Sequence, residues 1–193
     1  MLDIIETSPG SALVYSQFIS LEGLTIFSIA LEHQQQYVQL DIEQVGGEWK
    51  LKEMPEDKKL RYILYTGGVK DEKRKILRAI FNAEWDKLPS TLAAQVKKVT
   101  GVDNNKKGEL VKVFMISPSG VEGISLSNVR QVHIMEPYWN MSRILQIIGR
   151  AIRFCSHKDV PSNKRSVEVY MYLATYRGEQ TTVSYTHLTL PTN

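Results

Sequence analysis

The sequence has little of what marks secreted, membrane-spanning or metal-stabilised proteins. It contains one cysteine, Cys155, so it cannot form an internal disulfide and it fits a reducing compartment. His33, His133 and His157 do not lie beside cysteines or carboxylates at metal-ligand spacing, so we predict no metal site. No apolar run reaches membrane-spanning length, and the N-terminus does not resemble a signal peptide. We therefore expect an intracellular protein with no membrane partner.

The chain also lacks a strong excess of one charge. Its 24 basic and 21 acidic side chains give a net charge of +3, which permits nucleic-acid binding but does not require it. A chain of 193 residues that is 42% hydrophobic can bury one good core. We expect a single domain over residues 1–182. Residues 183–193 resemble a translated sequencing adapter and are predicted to be a non-native tail.

Two parts of a complete nucleotide-hydrolysing site are missing from the sequence. No segment has the form G-x-x-x-x-G-K-S/T, the loop that cradles phosphates. The acidic pair Asp71-Glu72 opens a predicted helix after a glycine turn instead of ending an apolar strand, which is the wrong context for Mg²⁺. These absences argue against a nucleotide enzyme that is complete in one domain.

Apolar runs and amphipathic segments alternate along the chain. Strands are predicted at residues 11–18, 37–42, 60–66, 111–116, 129–135 and 167–173, and helices at 21–33, from 71 onwards and at 141–154. A hairpin is predicted around Gly46-Gly47. The helix that begins at Asp71 is expected to direct Arg74, Lys75 and Arg78 largely away from the core. Strands that alternate with helices favour an α/β fold whose parallel sheet is covered on both faces.

The densest group of polar side chains lies on the predicted helix over residues 141–154, for which Asn140 is a suitable N-cap. Because successive residues of an α-helix are rotated by about 100°, four polar side chains of this segment fall within an arc of about 80°. They are Arg143, Gln146, Arg150 and Arg153. The opposite side, which includes Leu145 and Cys155, is apolar. Solvated side chains on an outer helix face would give the same pattern, but residues 117–126 precede this helix as a Ser/Gly loop whose backbone N–H groups suit phosphate.

Several segments resemble motifs of superfamily 2 helicases and translocases. Residues 119–126, Ser-Gly-Val-Glu-Gly-Ile-Ser-Leu, resemble motif V, and Gln146-x-x-Gly149-Arg150-x-x-Arg153 resembles motif VI. Residues 11–18 resemble motif IV. Residues 132–140 and 153–157 are most similar to helicase-like ATPases of nucleocytoplasmic large DNA viruses, which are related to poxvirus-type transcription ATPases and to Snf2 translocases.

The resemblance implies a RecA-like C-terminal domain that completes an ATP site with an N-terminal RecA-like domain of the same parent chain. ATP and Mg²⁺ would be held mainly by that other domain. The implied nucleotide-site residues are Arg150 and Arg153 as catalytic groups, Gln146, Gly149 and Gly123 beside them, and Glu122, which is expected to pair with an arginine. The implied nucleic-acid contacts are Gln17, Ser119, Gly120 and Ser125. An insertion over residues 83–109 adds Lys97 and Lys98, which either reach phosphates or lie on a solvated loop.

The remaining aromatic and titratable residues are expected to be structural or peripheral. Trp139 is predicted to pack against its own domain, with stacking on a base as the alternative. His133 is predicted to be a hydrogen-bonded core residue, and His157 to extend the polar stripe towards the nucleotide. Cys155 is predicted to lie in the core.

The partners implied by the resemblance are DNA or RNA and viral transcription machinery, in a host cytoplasm or a virion. The residues leave open whether strands are separated or only tracked. A non-catalytic nucleic-acid or transcription-complex module with the same fold is the alternative function.

Overall fold

The computed structural model describes residues 1–20, 23–33, 36–55, 60–121, 123–174 and 188–191. Its strands are β1 (Ser11–Tyr15), β2 (Tyr37–Gln39), β3 (Ile42–Val45), β4 (Glu48–Leu51), β5 (Leu60–Tyr65), β6 (Val113–Ile116), β7 (Val129–Ile134), β8 (Ser166–Met171) and β9 (Leu188–Pro191). Its α-helices are α1 (Leu2–Glu6), α2 (Leu24–His33), α3 (Asp71–Phe81), α4 (Ser90–Thr100), α5 (Pro118–Val121) and α6 (Met141–Ala151). Short 3-10 helices lie at Trp85–Lys87 and Ser162–Lys164.

The main sheet has the strand order β2-β5-β6-β1-β7-β8-β9. From β2 to β8 each strand runs parallel to its neighbour. The central strands β1 and β6 are buried along their whole length, as expected where helices cover both faces of a parallel sheet. The RecA-like α/β fold predicted from the sequence is confirmed.

The predicted tail contains the edge strand of this sheet. β9, within residues 183–193, pairs antiparallel with β8. The domain boundary predicted near Thr182 lies outside the described residues and stays a prediction.

Alternate side chains of the central strands enter cores on opposite faces. Leu13 of β1 and Phe114 of β6 pack with buried residues of α3, α4 and α6. Val14 and Met115, the next residues along the same strands, pack with buried residues of α1 and α2. This period of two follows from the pleat and places α3 and α6 on the same face of the sheet.

The hairpin predicted around Gly46-Gly47 is confirmed as β3 and β4. Both glycines have positive φ angles, +62° and +86°, which is the backbone conformation that a tight hairpin turn demands of its central residues. The hairpin packs against α4, which lies in the predicted insertion.

The arginine-bearing helix α6 is shorter than its periodicity predicts. It ends at Ala151 instead of residue 154, because Ser156 donates its hydroxyl to the Ala151 carbonyl at 3.1 Å. The Ser156 carbonyl in turn accepts from the Asn128 amide at 2.9 Å. These contacts draw the chain against the start of β7. Cys155 is therefore exposed, with a φ of +61°, and its predicted place in the core is wrong.

Two buried tyrosines in the core beneath α2 provide a matched test of hydrogen bonding. Tyr37 and Tyr62 are both fully buried, but only the Tyr62 hydroxyl has a partner, the Glu32 carboxylate. We expect Tyr62→Phe to lower the free energy of unfolding by about 1.5–3 kcal/mol, the usual net value of a hydrogen bond to a charged group. Tyr37→Phe is expected to be neutral or stabilising, because its buried hydroxyl is unpaired. Urea denaturation of the two variants measures the difference, and a larger loss for Tyr37→Phe would contradict the assignment.

His133 is a buried histidine on β7, as the sequence predicts. Its ring contacts the Tyr172 hydroxyl at 2.8 Å and the Gln131 amide oxygen at 3.2 Å, and it stacks on Tyr170 with ring centroids 5.0 Å apart. Burial, with a smaller contribution from the positive α-amino group of the chain, lowers the pKa of His133 from 6.5 to about 3. The folded protein therefore keeps this ring neutral in weak acid.

His133 is expected to make folding stability depend on pH. Because its pKa is lower in the folded than in the unfolded state, the unfolded chain takes up a proton as pH falls below 6.5, and stability is lost until about pH 3. The maximal slope is about 1.4 kcal/mol per pH unit. His133→Gln should flatten the dependence in this window. Urea denaturation at several pH values tests this, and equal slopes for both proteins would exclude His133 as a source. Burial also lowers the pKa of His157. We therefore expect His133→Gln to retain part of the pH-dependent slope of the wild-type protein.

Candidate nucleotide and nucleic-acid site

The helix α6 begins as the sequence predicts. The Ser142 amide donates to the Asn140 side-chain oxygen at 3.0 Å, so Asn140 is the N-cap. The buried side of α6 is formed by Ile144, Ile147, Ile148 and Ala151. Leu145, predicted on this side, is instead exposed. The polar side projects outwards, so Gln146 is exposed and Arg150 is partly exposed.

The two candidate catalytic arginines do not share one helical face. Arg150 lies in the last turn of α6, whereas Arg153 lies beyond the end of the helix. The prediction of one continuous stripe is therefore wrong for Arg153, because the chain turns towards β7. Gly149 has no heavy atom within 4 Å of where a Cβ would stand, so the surface beside Arg150 is open.

Tertiary contacts nevertheless connect both arginines to the Ser/Gly loop. Arg153 donates from its guanidinium to the Ser125 hydroxyl. The Leu126 amide donates to the Arg150 carbonyl at 3.3 Å. The end of α6 and the loop that follows β6 thus form one connected structure.

The glycines of the Ser/Gly loop have different roles. Gly123 has a φ of +73° and open space in front of it, so its backbone can approach a ligand closely. Gly120 is buried, and a Cβ there would come within 2.7 Å of the Tyr65 ring. Packing therefore accounts for this glycine, and its predicted nucleic-acid contact stays a prediction. Glu122 lies outside the described residues.

Basic side chains of α3 line a cleft beside this loop. The α3 cleft has a volume of about 360 Å³ and is lined by Tyr65, Asp71, Arg74, Lys75, Arg78, Ser119 and Gly123. The Arg74 guanidinium donates to the Ser119 carbonyl at 3.2 Å and pairs with Asp71. The Nε atom of Arg78 is buried without a partner. The cleft therefore places positive charge beside an open stretch of backbone.

The sequence did not identify these α3 cations as site residues. Their spacing shows that Arg74, Lys75 and Arg78 share one side of a helix, but not what faces that side. In the folded chain β5 and β6 are parallel neighbours, so the loops that follow them meet at one edge of the sheet. This strand order brings the Ser/Gly loop beside α3. Gly67 permits this approach, since a Cβ there would lie 2.2 Å from the Ser119 hydroxyl.

Gln17 lies at the same edge of the sheet as the Ser/Gly loop. It follows β1, the strand between β6 and β7, and its backbone amide donates to the Glu136 carboxylate at 3.0 Å.

Lys97 and Lys98 lie at the end of α4. Lys97 pairs with Asp103 at 3.2 Å and lies 4.8 Å above the Trp85 ring, so its contacts remain within the insertion. Lys98 is exposed.

Two further predictions for this region are wrong. Trp139 is 84% exposed, so it does not pack against its own domain. His157 is buried and its Nε2 lies 2.6 Å from the Val129 carbonyl oxygen, so it anchors the chain after α6 and does not face a nucleotide.

Within the described ranges, no helix is long and apolar enough to cross a membrane.

Comparisons with known proteins place the chain in a family. Residues 1–155 match the family described as the helicase conserved C-terminal domain. A candidate ATP-dependent RNA helicase of Acanthamoeba polyphaga mimivirus is 33% identical over 165 residues, covering 86% of this chain and 16% of that protein. A termination factor NPH-I homolog of African swine fever virus is 29% identical over 196 residues, covering 90% of this chain and 25% of that protein.

A solved structure, the C-terminal part of the Fun30 ATPase domain, aligns with 81% of this chain and 36% of its own chain, at 15% identity and a TM-score of 0.47. The chain spans a quarter or less of the two viral relatives. It belongs to the helicase conserved C-terminal domain family and has relatives in large DNA viruses.

Proposed function

We propose that this domain is the second lobe of a nucleic-acid-dependent ATPase of the helicase or translocase type. The observation that carries the proposal is the connection between the end of α6 and the Ser/Gly loop. Arg153 donates to Ser125, and the Leu126 amide donates to Arg150. One loop thereby contacts the candidate phosphate-binding arginines and also lines a basic cleft.

The nucleotide side of the proposed site uses the two arginines. Guanidinium groups match phosphate oxygens in charge and geometry, and a positive charge aimed at a transferring phosphoryl group lowers the barrier. Arg150 is partly exposed in the last turn of α6, beside the open surface at Gly149, so a ligand can approach its guanidinium. Gln146, exposed on the same helix, would orient the triphosphate.

The residues of this domain fit the phosphates of ATP, because guanidinium groups pair with phosphate oxygens. As the resemblance to helicases implies, Mg²⁺ and the nucleotide base would be held mainly by an N-terminal RecA-like lobe of the parent protein. The present domain would supply Arg150, Arg153 and Gln146 from the opposite side.

The nucleic-acid side of the proposed site uses the α3 cleft. Lys75 is exposed and Arg78 is partly exposed, and neither forms an ion pair among the described residues, so both are available for backbone phosphates. Ser119 and Gly123 offer a hydroxyl and an accessible backbone beside them. Such contacts to phosphate fix a strand without reading its sequence. Gln17, two strands away from β5 at the same edge, would extend the track.

The experiment that tests this function is ATP hydrolysis by the two-lobed parent protein with and without nucleic acid. Single-stranded and duplex DNA and RNA should all be compared, because the relatives are named for an RNA helicase and a termination factor. We expect at least one of them to raise the turnover rate by about tenfold or more, on the scale of a completed catalytic arrangement. Nucleic-acid binding without hydrolysis would favour a non-catalytic module of a transcription complex, and neither binding nor hydrolysis would overturn both functions.

A further inference from the structure

Glu136 connects the end of β7 to the loop that follows β1. Its carboxylate accepts a hydrogen bond from the Ser16 hydroxyl at 2.8 Å and another from the Gln17 amide at 3.0 Å. Both bonds have a charged acceptor and are therefore stronger than ordinary ones. The last backbone hydrogen bond between the two strands, from the Met135 amide to the Tyr15 carbonyl, precedes them at 2.9 Å. Glu136 thus extends the pairing of β1 and β7 beyond the sheet.

The two bonds fix the conformation of the loop after β1. Ser16 is fully buried, and its oxygen also accepts from the Phe18 amide at 3.0 Å. The Glu136 carboxylate and the Ser16 hydroxyl together satisfy the amide donors of Gln17 and Phe18. Without the carboxylate, the Gln17 amide would lose its partner in the described structure, and the loop would lose its fixed direction.

On its other side, Glu136 leads directly into the arginine helix. Asn140, four residues later, caps α6. The guanidinium of Arg143, in the first turn of α6, lies 5.0 Å from the centre of the Tyr138 ring, which fixes the intervening segment on the helix. Glu136 and the short segment that follows it therefore join the loop after β1 to the helix that carries Arg150.

We propose that Glu136 is a positioning residue that couples nucleic-acid contact at Gln17 to the placement of the arginines on and after α6. This inference rests on the proposed function. It names a residue that connects the proposed nucleic-acid contact with the proposed nucleotide contact. Glu136 itself contacts neither ligand. It acts by holding the loop that presents Gln17 in register with the start of α6.

The test compares Glu136→Gln with wild type in the two-lobed parent protein. Glutamine keeps the size of the side chain, but it replaces a charged acceptor with a neutral one and offers one acceptor oxygen instead of two to the Ser16 hydroxyl and the Gln17 amide. The expected result is an increase of about tenfold in the nucleic-acid concentration that gives half-maximal ATP hydrolysis, as for loss of one hydrogen bond to a charged acceptor. The KM for ATP without nucleic acid should change by less than about twofold, since no ATP contact is removed. Binding of a fluorescein-labelled single-stranded oligonucleotide is followed in parallel.

Glu168→Gln is the matched control, because Glu168 is also a half-buried carboxylate that accepts from a neighbouring strand, at 3.2 Å from the Gln131 amide nitrogen. It should not alter the nucleic-acid concentration that gives half-maximal hydrolysis.

Glu136→Asp, which keeps the charge but shortens the reach, should give an intermediate shift if positioning is the role. If Glu136→Gln only lowers the thermal midpoint and leaves the half-maximal concentration unchanged, its role is structural and the inference is overturned. If wild-type protein shows no stimulation by nucleic acid, the proposed function itself fails and the inference fails with it.

Discussion

Arg153→Ala in the two-lobed parent protein is expected to lower nucleic-acid-stimulated ATP hydrolysis by about 100-fold or more, as for arginines that meet charge developing on a transferring phosphoryl group. Arg153 is exposed beyond the end of α6 and is oriented by the Ser125 hydroxyl. Its guanidinium can therefore reach a ligand without disturbing the core. ATP affinity should change by less than about fivefold, because the lost interaction belongs to the transition state.

Single-turnover hydrolysis and fluorescent-nucleotide binding separate these two effects. Arg150→Ala is expected to lower turnover as well, and Arg153→Lys should recover little of it, because an ammonium cannot reproduce the guanidinium geometry. Lys164→Ala, which removes an exposed cation outside the site, serves as the control and should leave turnover unchanged. Full activity in Arg153→Ala would remove this residue from the catalytic site.

The double substitution Lys75→Ala/Arg78→Ala is expected to weaken nucleic-acid binding by about 10- to 100-fold at moderate salt, as for the loss of two phosphate contacts. Both side chains line the α3 cleft, and neither forms an ion pair among the described residues. The slope of log affinity against log salt concentration should fall by about one per lost contact. Fluorescence anisotropy over a salt series measures both quantities.

Lys97→Ala/Lys98→Ala is the matched comparison for this prediction. It removes the same charge from the insertion, where Lys97 already contacts Asp103 and Trp85. If the α3 cleft holds the phosphates, the insertion variant should bind nearly as well as wild type and keep its salt slope. A large loss in the insertion variant with no loss in the α3 variant would instead support the lysines predicted from the sequence.

The sequence predicted the architecture because its signals are local. Continuous apolar runs mark buried parallel strands such as β1 and β6, and Gly46-Gly47 marks the hairpin. The Asn140 cap was predicted for the same reason, since capping needs only one side chain and the next turn of backbone.

The parts of the site that sequence reasoning missed depend on contacts between distant segments. Periodicity continues α6 to residue 154, but Ser156 and His157 bind to Ala151 and Val129 and end it earlier. Helical spacing likewise places Arg78 on an outer face without showing that the Ser/Gly loop lies opposite. Such facts follow from strand order and packing, which one sequence does not display.

The central claim is that this domain completes an ATP site formed between two lobes. The most direct measurement is the rate of ATP hydrolysis, with saturating nucleic acid, by the N-terminal lobe of the parent protein alone and by the same lobe joined to residues 1–182. The account predicts that joining the domain raises the rate by about 100-fold or more and that the gain disappears when Arg150 and Arg153 are both alanine. Equal rates for the isolated and the joined lobe would contradict it.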